Sequence, residues 1–92
     1  TVCVDELEFT IITTPGHTPG SVCIRCGDLL FTGDTLFCGD IGRTDLAGGS
    51  YTEIQKSLKK LCECIGDNPQ VLPGHEMFST MEKEKRTNRY LR

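Results

Sequence analysis

The amino-acid sequence predicts an α/β fold, α+β in layer terms, in which helices pack on a sheet. Three observations carry that prediction. Short runs rich in β-branched and aromatic residues fill the first third of the chain. The stretch from Ser50 to Gly66 repeats its apolar residues at helical spacing. Three strand-like runs each lead into glycine and then a residue able to hold a metal: Gly16-His17, Gly33-Asp34 and Gly74-His75.

Taken in order, Val2-Cys3-Val4 and Phe9 to Thr13 read as strands separated by an acidic turn at Asp5-Glu6. Thr14-Pro15-Gly16-His17-Thr18-Pro19-Gly20-Ser21 follows. Proline fixes φ and glycine permits unusual φ, so this loop is stiff and sharply turned and holds His17 in place. Ser21 to Cys26 is a strand, Gly27-Asp28 a two-residue hairpin turn, and Leu29 to Thr32 the returning strand that delivers Asp34. Leu36 to Gly49 is glycine-rich and reads as a long irregular loop, a kind of segment that often carries function. Ser50 caps a helix, with Glu53 completing a capping box. Ile54, Leu58, Leu61, Cys62 and Ile65 share one face, and Gly66 ends it. Asp67-Asn68-Pro69 turns the chain into the strand Gln70 to Leu72, which leads to His75. A final helix runs from about Ser79 towards Asn88, with Ser79 and Glu82 as a second capping box. An apolar helix face must pack on the sheet those strands form.

Ninety-two residues make at most one domain. A chain of this size buries only about 60–65% of its unfolded surface, so the core is modest. Apolar content of 37% and charged content of 25% indicate a folded segment. No apolar run approaches ~18 residues, so none spans a membrane, and no signal-peptide pattern is visible. The chain has no initiator Met and opens almost directly in strand-like residues, so it reads as a piece of something longer. A net charge of −3 argues against general nucleic-acid binding. The basic residues between Glu82 and Arg92 read as a solvated helix face. The six cysteines fall at spacings that look incidental, which favours reduced thiols and a cytoplasmic setting over a disulfide framework.

Imidazole and carboxylate suit zinc or a similar divalent ion, which lowers the pKa of bound water to about 7 and makes it a nucleophile. Taken singly, an Asp after Gly is a turn residue or helix cap, and a His in a loop is a surface residue. The same setting three times over is harder to dismiss, and spacing alone leaves both readings open. Cys38 is either loop filler or a thiol beside the pocket. Arg43 and Asp45 either brace the long loop as an ion pair or touch substrate. Cys23-x-x-Cys26 has the look of half a zinc knuckle. Its partner would be Cys62-x-Cys64, whose thiols point to nearly opposite sides of a helix, so a cysteine zinc site is disfavoured.

Thr14-Pro-Gly-His-Thr-Pro-Gly-Ser21, Phe31-Thr-Gly-Asp-Thr-Leu-Phe37 and Pro73-Gly-His75 resemble three successive motifs of the metallo-β-lactamase fold. Ile41-Gly-Arg-Thr-Asp-Leu46, Gly48-Gly-Ser50 and Glu84-Lys-Arg-Thr-Asn88 resemble the compact glyoxalase II-like hydrolases. The resemblance implies residues 1–92 are the C-terminal half of one αββα sandwich, a mixed sheet with two helices on one face. It implies a two-metal site, zinc with iron or manganese as alternatives. His17 and His75 would each ligate one metal, and Asp34 would bridge both. A metal-bridging hydroxide would attack a thioester such as an acylglutathione. Lactone hydrolysis, nuclease action and sulfur dioxygenation are alternatives on the same scaffold. The family's upstream H-x-H-x-D-H motif is not in this chain, so the isolated chain is expected to be inactive. The rival expectation is a non-catalytic fragment that self-associates or pairs with a missing N-terminal half through an uncovered apolar face.

Overall fold

The computed structural model describes residues 2–4, 7–45, 47–74 and 77–91, with side chains from Leu7 onward. The elements run β1 (Val2–Val4), β2 (Leu7–Thr13), β3 (Val22–Cys26), β4 (Leu29–Gly33), β5 (Leu36–Phe37), β6 (Asp40–Ile41), α1 (Tyr51–Cys64), β7 (Gln70–Pro73), β8 (Ser79–Thr80) and α2 (Met81–Thr87). The main sheet has the order β1-β2-β3-β4-β7-β8, and β5 and β6 form a separate small hairpin. Every pairing is antiparallel except β4 with β7. That parallel pair needs a crossover, and α1 lies on it. The expected mixed α/β architecture is therefore present.

Registers fix which residues share a face. Ile12 pairs with Cys23, and Leu30 with Val71. All four are buried in one cluster with Ile54, Leu58, Leu61 and Ile65 of the α1 region and Met81 of α2. Both helices therefore cover the same side of the sheet. The other side carries the row Ile11–Ile24–Phe31–Leu72. Ile11 is 49% and Phe31 41% exposed, and Leu7 and Val22 are exposed beside them. Strands apolar on both faces normally lie between two layers; among the described residues no second layer covers this face.

α1 begins as its sequence dictates. Ser50 Oγ accepts the Glu53 N–H at 3.2 Å. α2 begins differently. Its cap is Thr80, whose hydroxyl accepts the Lys83 N–H at 3.3 Å, not Ser79. Ser79 is in β8, opposite Val71, and its hydroxyl donates instead to buried Glu84 at 2.6 Å. The segment expected to be an irregular loop contains the β5–β6 hairpin, in which Leu36 and Ile41 are buried. Two-residue strands are too short to show a period of two, so nothing in the sequence marks them. The acidic turn at Asp5-Glu6 lies outside the described residues. Among the described residues no helix is long and apolar enough to cross a membrane.

Candidate metal centre

β3 runs antiparallel to β4, so the chain entering β3 and the chain leaving β4 meet at one edge of the sheet. The first brings His17, the second Asp34. His17 Nε2 and Asp34 Oδ2 are 3.7 Å apart. β7 runs parallel to β4, and the Gly74 N–H donates to the Gly33 carbonyl at 2.9 Å, so β7 ends at this edge too. His75 lies outside the described residues. Among the described residues no group of three His, Cys, Asp or Glu side chains is placed to hold a metal. The pair His17–Asp34 is what the structure brings together.

His17 is held by backbone. Its Nδ1 lies 2.8 Å from the Arg43 carbonyl. A carbonyl only accepts, so neutral His17 carries its proton on Nδ1 and its lone pair on Nε2, towards Asp34. Two glycines make this contact possible. Gly16 has φ +148° and packs against α1, where an added Cβ would meet Ile54 atoms at 2.3–2.6 Å. Its carbonyl accepts the Ser50 N–H at 2.7 Å, which ties the His17 loop to the helix cap. At Gly42 an added Cβ would lie 1.7 Å from the Asp34 carbonyl oxygen and 3.3 Å from the His17 Cβ. Only a residue without a side chain lets the chain after β6 pass this close to both proposed ligands.

Behind the pair sits a small polar core. The Thr14 and Thr35 hydroxyls share a hydrogen bond at 3.1 Å, with the Cys23 thiol 3.5 Å from Thr14. All three side chains are buried, and burial pushes the Cys23 thiol pKa up. Thr32 donates to the Leu36 carbonyl at 2.7 Å. A cleft of about 280 Å³ opens over the pair, lined by His17, Asp34, Phe37, Ile41, Gly42 and Arg43.

The remaining residues singled out in the sequence fall as follows. Arg43 lines the cleft, and its guanidinium donates twice to Asp45 at 2.8 Å, so the bracing ion pair is present. The same hydrogen bonds hold the Asp45 carboxyl at a pKa of about 2. Cys38 is in the β5–β6 turn, 3.8 Å from Lys83 Nζ. Cys23 and Cys26 sit on opposite sides of β3, and the five described cysteines are free thiols. Sequence reasoning missed Gly42, the use of Arg43 through its carbonyl, and the buried carboxylate of Glu84. The Gly-Arg pair after the hairpin was visible, but a backbone acceptor leaves no signal in residue type.

The donor set fits a divalent ion. Nε2 and Oδ2 at 3.7 Å can both reach one ion at the ~2.0–2.2 Å typical of zinc bonds to nitrogen and oxygen. A mixed sheet with helices on one side carries the His17/Asp34 pair at its glycine-rich edge. The chain belongs to the metallo-beta-lactamase superfamily, whose profile matches residues 4–82. It is 37% identical, over 96% of its length, to the hydroxyacylglutathione hydrolase GloC of Haemophilus influenzae, and covers 42% of that protein. It is similar to the crystal structure of ETHE1 from Myxococcus xanthus (TM-score 0.88, 36% identity, 96% of this chain and 41% of that one). It is also similar to TTHA1623 in a di-iron-bound form (TM-score 0.83, 36% identity, 99% of this chain and 50% of that one). The chain spans about two fifths of the length of the curated relatives it matches.

Proposed function

We propose that this sequence belongs to a metal-dependent hydrolase of glyoxalase II type, acting on a thioester such as an acylglutathione in the cytoplasm. The observation that carries the metal site is the His17 imidazole, anchored through Nδ1 on Arg43 with Nε2 turned to Asp34. His17 and Asp34, with His75, are the residues assigned to hold the metal. Zinc is the proposed ion, two per complete site, with iron or manganese as alternatives. When bound, such an ion polarises a carbonyl and lowers the pKa of a coordinated water. His17 offers a preset lone pair, Asp34 supplies negative charge, and the cleft beside Phe37 and Ile41 gives the acyl group an apolar wall. Likeness to GloC supports the thioester reading; likeness to ETHE1 leaves the scaffold open to other chemistry.

The test is metal content and thioester hydrolysis in a relative-length protein carrying this sequence. His17→Ala is expected to lower metal affinity at least tenfold and to abolish turnover. Metal held equally well by His17→Ala and Asp34→Asn would overturn the assignment. Bound metal with no acylglutathione turnover would overturn the substrate alone.

A second reading concerns the 92 residues by themselves, and the bare face Leu7–Ile11–Val22–Phe31 favours it. These residues form the C-terminal half of one domain, and the face is where the N-terminal half packs. Without that half the chain is inactive and self-associates. Sedimentation of the purified 92-residue chain as a stable monomer at tens of micromolar would overturn this.

A further inference from the structure

Helix α2 and the residue after it carry two polar side chains with no exposed surface, Glu84 and Asn88. Glu84 Oε2 accepts the Ser79 hydroxyl at 2.6 Å. Its Oε1 accepts the Gly39 N–H at 2.8 Å and the Asn88 amide at 2.9 Å. The same Asn88 amide donates to the Asp40 carbonyl at 3.1 Å. Both residues therefore grip the turn and second strand of the β5–β6 hairpin. Burying a carboxylate is costly unless its oxygens are satisfied, and here both are.

The hairpin leads straight to the candidate centre. β6 ends at Ile41. Gly42 follows, donating to the Thr35 carbonyl at 3.2 Å and packed on the Asp34 backbone. Arg43 comes next, and its carbonyl holds His17 Nδ1. Any shift of Asp40 is passed through three residues to that carbonyl.

We infer that Glu84 and Asn88 are positioning residues. They clamp the β5–β6 hairpin so that the Arg43 carbonyl stays on His17 Nδ1 and the Nε2 lone pair stays aimed at Asp34. The purpose of the clamp rests on the proposed metal site; its existence does not. The geometry also says what the clamp requires of Glu84. Glutamine keeps an oxygen for Gly39 and Asn88, and its amide can donate to Ser79, whose hydroxyl both donates and accepts. Shape and hydrogen bonding are required, and the charge is not.

The experiment reads the imidazole nitrogens of His17 by ¹⁵N–¹H correlation in the metal-free protein at alkaline pH. His17→Asn, whose spectrum lacks them, assigns the His17 signals. The parent protein and Glu84→Gln are expected to show His17 with its proton on Nδ1. Glu84→Ala is expected to show a tautomer mixture and a 10–100-fold weaker zinc affinity, the usual range for lost support of a metal ligand. Leu61→Ala, which loosens the core on α1 but removes none of the Glu84 or Asn88 hydrogen bonds, should leave the tautomer unchanged. A folded Glu84→Ala protein with the Nδ1–H tautomer intact overturns the clamp. So does equal loss in Glu84→Gln, or equal loss in Leu61→Ala. If Glu84→Ala does not fold, Asn88→Ala, which removes the Asp40 contact, carries the same test. A tautomer that responds as expected in a protein that binds no zinc leaves the clamp standing and removes the metal-site reading.

Discussion

Two acid–base pairs lie at opposite edges of the same sheet, and they are built in opposite ways. At one edge Arg25 and Asp67 close on each other, with both guanidinium Nη atoms on both carboxylate oxygens at 2.5 Å. Each group answers the other, and the turn around Asp67 is exposed. At the other edge His17 and Asp34 face each other across 3.7 Å, longer than a hydrogen bond. There the scaffold holds the side chain: a carbonyl on His17 Nδ1, Gly16 against α1, and Gly42 against Asp34. A closed pair is complete and makes few demands on its surroundings. The wider pair is held by its surroundings, and it is where the metal site is proposed.

The sharpest way to break the comparison is to change a glycine at each edge. At Gly42 a Cβ would lie 1.7 Å from a backbone oxygen, with no flexible side chain to give way. Gly42→Ala is expected to cost about 3 kcal/mol, the upper part of the overpacking range. It should also part His17 from Asp34. At Gly66, beside Asp67, an added Cβ meets nothing within 4 Å. Gly66→Ala is expected to be neutral or to stabilise by about 0.4–1 kcal/mol, through lost freedom of the unfolded chain. Urea denaturation of both variants decides it. Equal effects at the two edges would mean the site edge is no more constrained than an ordinary turn.

The edges also differ in how much of them could be read beforehand. The scaffold of the Asp67 edge is local chemistry. Gly27-Asp28 makes the expected hairpin, and Leu61 and Ile65, at the end of the expected helix, face the core as their spacing requires. His17 and Asp34 were legible too, because each follows a strand-like run and a glycine. What sets their geometry was not. The β5–β6 strands are two residues each, below the length at which alternation shows. Ser79 and Thr80 each stand three residues before a usable partner. Which one caps α2 is decided by Glu84, which captures the Ser79 hydroxyl. Glu84 itself lies in the charged run Glu82–Arg86, where every local sign says solvent. Only its spacing from Met81 and Asn88, three before and four after, places it on the inward face. Long-range polar partners leave no periodic trace, and the site is fixed by such partners.

The smallest expected effect lies at the closed edge. Arg25 holds the Asp67 carboxyl at a pKa of about 2, against 3.8 for the free group. A carboxyl whose pKa falls on folding stabilises the fold above its unfolded pKa and loses that contribution as pH drops through the folded value. The window is therefore from about pH 4 down to about pH 2. In thermal melts, Asp67→Asn should lie slightly below the parent protein at pH 6, and the gap should close by pH 2. Because Asp67 is well exposed, the gap should be small and should shrink further in high salt. Asp45, held at a pKa of about 2 by Arg43, titrates in the same window, so an Asp45→Asn background isolates the Asp67 contribution. A gap as large as the loss in Gly42→Ala would reverse the comparison: the closed pair would then be a support of the fold, not a surface contact beside it.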